Sequence, residues 1–391
     1  MASPGAPQPD PLRRVLALLP LTRMTRPRCA ELPQRIEEIA DLARTATDQP
    51  GLGNEERLNR VCAALNLAAL VAADCGLPDL AIDFCERQFQ IFHAAWPVTG
   101  NTAICALQPV VNLARLANRR GDHEAAYQSF DELNNAVHHG DAIAVNGVAV
   151  SFAGFTTSAS DLSLAAPWLR DVLRVEGTRA LTMAGRWQAA TEHAARYDDS
   201  PERLREHRQV LAVSQILDGQ AAVATSLILE SVMTEAWERA VALCLRLFAA
   251  QSVGDNDTEA ATSLGEAVAL LRLSHERRTA VFRCRLGSVA IDLIGPSSPN
   301  DALLLEAQLF ADAAGSDDAY VARELLSHSL AWSMPAPQQF APLAEMVQKA
   351  GLDAGGVPEP TLAALRDSVG VAEAVLSWLL RADGNQHDPH A

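Results

Sequence analysis

Lysine is almost missing from this chain. Lys349 is the only one, so nearly all of the 32 basic residues are arginine, against 48 acidic residues and a formal net charge of −16. That balance leaves no basic face of the kind nucleic acid or an anionic membrane requires, and points to cationic partners if to any. Aromatic residues make up only 5% of the chain although hydrophobic residues reach 49%, so Ala, Leu and Val must supply the core, which favours helix over sheet. No apolar run approaches the length of a membrane span, and the short run Val15–Pro20 behind Arg13-Arg14 has neither the length nor the cleavage site of an export signal. A cytoplasmic protein is expected. The seven cysteines form no Cys-x-x-Cys pair and sit inside apolar helical patterns, so buried thiols are expected and a metal site is not. Nucleophile elbow, P-loop, dinucleotide fingerprint, HExxH and paired carboxylates are all missing, as is a helix-turn-helix. No cofactor is expected. Alanine and arginine richness is the composition of a high-GC genome such as an actinobacterium's.

What is present is a recurring turn. Four glycines are each followed five residues later by alanine and preceded seven residues earlier by a small residue: Ala69/Gly76/Ala81, Ala114/Gly121/Ala126, Thr178/Gly185/Ala190 and Ala212/Gly219/Ala224. Each lies between two amphipathic stretches. Glycine adopts the left-handed conformation that ends one helix, and the small residues let two helix backbones approach closely. Gly185 and Gly219 are 34 residues apart. Helices are expected at Pro11–Leu19 and Glu31–Ala46, then in pairs from Glu55 onward, less regularly spaced after Glu235. A final helix, Thr361–Arg381, follows a Gly/Pro-rich linker and is expected to cap the exposed end of the array.

The regular spacing breaks once. Between Gly121 and Gly185, the segment Ala142–Phe152 sets two short apolar strands around Asn146-Gly147, the strongest local signal for a β-hairpin. Two roles stay open for it: filler between repeats, or a flap over a binding surface. The expected organisation is an N-terminal tail with a short helix over residues 1–30, a helical-repeat domain over 31–350 with the hairpin insertion at about 140–155, and a linker, capping helix and tail over 351–391.

The glycine turns with their small flanking residues resemble tetratricopeptide repeats, best in Arg115–Ala126, fairly well over 55–233 and only loosely over 235–350. The resemblance implies an all-α, right-handed solenoid of antiparallel helix pairs, whose first helices line a concave groove. Carried over residue by residue, the groove positions hold Asn66 in the first unit and Gln108, Asn112, Arg115 and Asn118 in the second. The third unit offers Glu176 and Arg179, the fourth Glu206 and Gln209. Arg115 and Arg179 occupy equivalent positions and are expected either to clamp one anionic group together or to pair with neighbouring acids, Arg179 with Glu176 or Arg115 with an acid on the next helix. The function so implied is non-catalytic binding of a peptide or partner-protein segment, and a homodimer is compatible with it. Two other readings stay open: a helical enzyme or enzyme subunit in specialised-metabolite or ribosomal-peptide maturation, and a sensor reading a signalling peptide or small molecule.

Overall fold

The computed structural model describes residues 10–23, 25–156, 158–272, 276–329 and 337–386. Residues 1–9 and 387–391, at the two ends, lie outside these residues. In chain order the helices are α1 (Pro11–Leu18), α2 (Leu32–Asp48), α3 (Asn54–Asp74), α4 (Pro78–His93), α5 (Gly100–Arg119), α6 (His123–His139), α7 (Ala159–Val172), α8 (Thr178–Met183), α9 (Trp187–Tyr197) and α10 (Glu206–Leu217). They continue with α11 (Ala221–Leu229), α12 (Ala236–Ser252), α13 (Thr258–Arg272), α14 (Ala280–Ile294), α15 (Pro299–Gly315), α16 (Ala319–Ser329), α17 (Pro337–Lys349) and α18 (Glu359–Gln386). The fold is all-α with a single small sheet among the described residues, and consecutive helices pack as pairs.

The glycine turns carry out the role their spacing implies. Gly76, Gly121, Gly185 and Gly219 have φ of 76°, 85°, 74° and 75°. At each, the next residue's N–H donates to the carbonyl five positions back, Leu77 to Ala72 at 2.9 Å and Gln220 to Gln215 at 2.8 Å for example, which closes a Schellman motif. Gly254 does the same, Asp255 donating to Ala250 at 3.0 Å, although the spacing around it had loosened. The flanking Ala81, Ala126, Ala190, Ala212 and Ala224 are all fully buried.

The hairpin forms where expected. Strands β1 (Ala142–Val145) and β2 (Val148–Ser151) pair antiparallel with Val145 opposite Val148, and Asn146 and Gly147 take φ of 52° and 83° as a type I′ turn demands. Val145, Val148 and Val150 are buried, and β1 packs on α5 and α6. Phe152 stacks on Trp96 at 5.7 Å between centroids, with Phe89, His93 and Phe155 completing an aromatic cluster. The hairpin is thereby seated on the second helix pair.

The chain divides into two compact units, neither of them contiguous. One comprises Glu31–Ala180 with Gly351–Ala391, the other Met1–Ala30 with Leu181–Ala350. In the first, α18 buries Leu365, Val369, Ala372, Leu376 and Leu379 along one stripe and packs on α2, α3 and α4. It covers the first helices of its unit, where the sequence suggests a cap on the last pair. The linker before it docks on the α3–α4 turn: the Asp353 N–H donates to the Asp74 carbonyl at 2.7 Å, and a Cβ added to Gly76 would come within 3.0 Å of the Gly355 backbone. The Asp74 carboxylate, 0% exposed, joins Arg35 of α2 at 2.5 Å and also Arg119 of α5.

In the second unit, α10, α12, α14 and α16 touch in succession as the first members of their pairs. Helix α1 packs on α12 and α14, and the described residues from Leu19 to Ala30 have no regular structure. All seven cysteines are buried and none forms a disulfide. Burial pushes the Cys85 thiol up to about 12, which makes it a poor nucleophile at neutral pH.

Candidate functional site

All the candidate residues but Glu206 and Gln209, which lie on α10, fall in the unit that contains α2–α7. On α5, Asn101, Gln108, Asn112 and Arg115 recur at spacings that place them on one face, and on α3 Asn59 and Asn66 do the same one heptad apart. Because α3 and α5 pack directly, these faces meet and their carboxamides pair across the seam.

The result is an unbroken chain of side-chain hydrogen bonds. The Asn66 amide donates to Gln108 Oε1 at 2.6 Å, and the Asn112 amide donates to Asn66 Oδ1 at 2.9 Å. Arg115 Nη1 donates to Asn112 Oδ1 at 3.2 Å, and its Nε donates to Glu176 at 2.7 Å. One heptad earlier, Asn101 donates to Asn59 at 3.1 Å. The spacing rule carried over from repeat proteins does not single out Asn59 and Asn101; the seven-residue interval from Asn59 to Asn66 and from Asn101 to Gln108 is the signal that finds them.

Glu176 reaches Arg115 from an unusual backbone. Helix α7 begins at Ser158, whose hydroxyl accepts the Asp161 N–H, and runs through Pro167. Leu173–Gly177 then form a single π-helical turn before α8. Such a turn inserts one residue into the helix and re-aims the side chains on it. Glu176 lies in that turn and is 8% exposed, and Thr178 after it is fully buried with no hydrogen-bond partner for its hydroxyl. Of the two pairings open to Arg115, with a bound anion or with an acid on a neighbouring helix, the structure contains the second. The Arg115 side chain nevertheless stays 43% exposed, and three of its five N–H groups are not engaged in the bonds to Glu176 and Asn112.

The structure thus brings Gln108, Asn66, Asn112, Arg115 and Glu176 into one line and leaves Asn118, Arg179, Glu206 and Gln209 outside it. Asn118 is buried at the α5–α6 turn, where its Oδ1 accepts from His123 Nδ1 at 2.6 Å. Arg179 lies exposed on α8, one turn beyond Glu176. Gln209, in the other unit, is fully buried and engaged by residues near the N-terminus. His138 and His139 close the last turn of α6, each donating Nδ1–H to the carbonyl four residues back. Among the described residues no group of three or more His, Cys, Asp or Glu side chains is arranged to hold a metal ion, and no helix is long and apolar enough to cross a membrane. Surface depressions of about 330 and 490 Å³ lie elsewhere, the first beside α2 and Arg60, the second beside Gly185 and Trp187.

Chemically, the line offers alternating amide donors and acceptors ending in a buried carboxylate and a half-exposed guanidinium. That is equipment for holding polar backbone or an anionic group; it contains no nucleophile beside a general base. In comparisons with known proteins, no family model, no curated protein and no solved structure matches this chain.

Proposed function

We propose that this is a non-catalytic binding protein, similar in plan to tetratricopeptide-repeat proteins, which holds an extended peptide or partner-protein segment along α3, α5 and the π-helical turn. The observation that carries the reading is the line of carboxamides from Gln108 to Arg115. Asparagine and glutamine pair with peptide N–H and C=O groups whatever the side chain, and successive first helices repeat them at regular intervals. The half-exposed Arg115 adds a charge-assisted contact for a carboxylate, at the cost of partly releasing Glu176.

The test is selection of extended peptides from a displayed library on the intact protein, followed by measurement of the winners on variants. Asn66→Ala with Asn112→Ala is expected to weaken them at least ~10-fold, the equivalent of about 1.4 kcal/mol spread over two lost hydrogen bonds, with little change in melting temperature. Arg115→Ala is a poorer probe, because it strands buried Glu176 and so lowers stability as well. Peptides whose affinity ignores Asn66 and Asn112 would refute this site.

A further inference from the structure

The segment that follows α1 is bound like a ligand. Between Leu19 and Ala30, Met24 lying outside the described residues, it has no regular secondary structure, yet its unit grips it along its length. Gln209 on α10, 0% exposed, holds Leu21 by both sides of its backbone: the Leu21 N–H donates to Oε1 at 2.9 Å and Nε2 donates to the Leu21 carbonyl at 3.0 Å. A carboxamide making both bonds reads main chain and not side chain.

Further along, the side chains are read instead, and by acids. Arg23 pairs with Glu235 at 2.9 Å, at the start of α12, and with Glu276, just ahead of α14. The Arg26 N–H donates to the Arg278 carbonyl at 3.0 Å while its guanidinium lies 3.8 Å over the Tyr320 ring. Arg28 pairs with Asp317, and Cys29 exchanges hydrogen bonds with the start of α16, donating to Asp318 and accepting from the Ala319 N–H, both at 2.9 Å. Residues 21, 23, 26 and 29 therefore meet α10 and then the N-terminal ends of α12, α14 and α16 in order.

Apolar anchors complete the contact: Val15, Leu19, Leu21 and Cys29 are all buried. Arg14 on α1 joins Asp292 at 2.6 Å in a pair only 12% and 2% exposed, but beyond α1 the arginine pairs are wet. Arg23 is 36% exposed and its partners 43% and 40%, so these pairs contribute little each to stability. A few buried anchors within a rim of accessible ion pairs is the anatomy of a protein–protein interface more than of a domain core.

We propose that the surface formed by α10 and the N-terminal ends of α12, α14 and α16 is a second binding site, specific for extended arginine-bearing segments of partner proteins, and that the described residues between Asp10 and Ala30 occupy it as a displaceable intramolecular ligand. Gln209 supplies the sequence-independent hold, Glu235, Glu276, Asp317 and Asp318 the preference for positive charge, and Tyr320 a face for a guanidinium. Since the arm is tethered, a partner competes against an effective concentration in the millimolar range, and the site opens only to partners that outbid it. The inference does not rest on the carboxamide line of the other unit, and substitution of Asn66 and Asn112 leaves it untouched.

The experiment uses the full chain and a fluorescent peptide with the sequence of residues 10–30. Leu21→Ala with Arg23→Ala in the protein loosens its own arm and leaves the site intact. The peptide is expected to bind that variant at least ~10-fold more tightly than it binds the wild type, since a larger fraction of sites is open. Glu235→Arg with Glu276→Arg in the loosened background, or glutamate at positions 23 and 28 of the peptide, should reverse the gain. Equal affinity for wild-type and loosened protein, or equal binding of the acidic peptide, overturns the proposal. Hydrogen exchange on the wild type decides independently of how the variants fold. Amides of Leu21, Arg26 and Cys29 should exchange at least ~100-fold faster than those of α12 and α14. Exchange of both sets at one common rate would make the arm part of the core and overturn the proposal.

Discussion

Asp74 is the residue at which a small change should cost most. Its carboxylate is completely buried between Arg35, whose side chain is 8% exposed, and Arg119, 34% exposed. Asp74→Asn keeps the shape but removes the charge and turns one acceptor into a donor facing a guanidinium. Arg35 is then left buried beside a neutral group, a situation that costs about 3–5 kcal/mol when one partner of a buried pair is removed. For a unit of this size that corresponds to a fall in melting temperature of about 6–20 °C. Arg119→Gln should cost less, about 1 kcal/mol, because Arg119 shares its charge with solvent. Asp41, paired with Arg44 where both are more than half exposed, is the control, and Asp41→Ala should change stability by no more than about 0.5 kcal/mol. Thermal melts and urea titrations followed by circular dichroism give all three values. Replacing Asp74 by Leu together with Arg35 by Met should recover most of the loss, since an apolar pair needs no compensation for lost hydration. If Asp74→Asn melts within a degree or two of the parent, or the apolar pair is no better than the single variant, then burial and pairing do not determine stability here and the reasoning fails.

Gly121→Val forces a β-branched residue to φ 85°, where an added Cβ meets nothing, so the expected penalty of about 1–3 kcal/mol is backbone strain alone; Gly121→Asn should be milder, and equal melting of both with the parent would refute the turn assignment. Ala126→Leu, at a fully buried helix contact, should cost about 1–3 kcal/mol by overpacking, read in the same melts. Burial pushes the Asp292 carboxyl up, but hydrogen bonds from His328 and Arg14 outweigh it and hold the group below the usual aspartate range. Its contribution to stability should therefore be complete above about pH 4–5 and fade as the pH falls through and below the ordinary value of about 3.9; Asp292→Asn should flatten that acid limb in melting curves taken from pH 6 to pH 2.5, and an unchanged slope would count against it.

The turns and the hairpin were legible in the sequence because their causes are local. A left-handed backbone at Gly76, Gly121, Gly185 and Gly219, or at Asn146-Gly147, is decided by the residues that occupy it. Helix α7 was less so: proline is tolerated inside it at position 167, and Ser158 caps it nine residues earlier. The π-helical turn left no residue signature, and without it nothing in the spacing of Glu176 says that it meets Arg115. The α3–α5 seam was half legible, through a repeat register that found Asn66, Gln108 and Asn112 but not Asn59 or Asn101. Least legible were the docking of α18 on α2 and α3 and the grip of Gln209 on Leu21, 188 positions away. Contacts between such distant segments are chosen by complementary surfaces, and one stripe of leucines looks like another.

That α18 completes the unit begun by α2 also sets the order in which the protein can be made. Helix α2 leaves the ribosome with an apolar face whose cover, α18, is synthesised only after every helix from α3 to α17 has been made. At ordinary translation rates the delay is on the order of tens of seconds, long compared with helix formation or collapse. The unfinished face of α2–α4 is exposed to chaperones and to other nascent chains throughout that interval. A stop codon or proteolytic cut anywhere between α4 and α18 would remove a structural layer from helices already made.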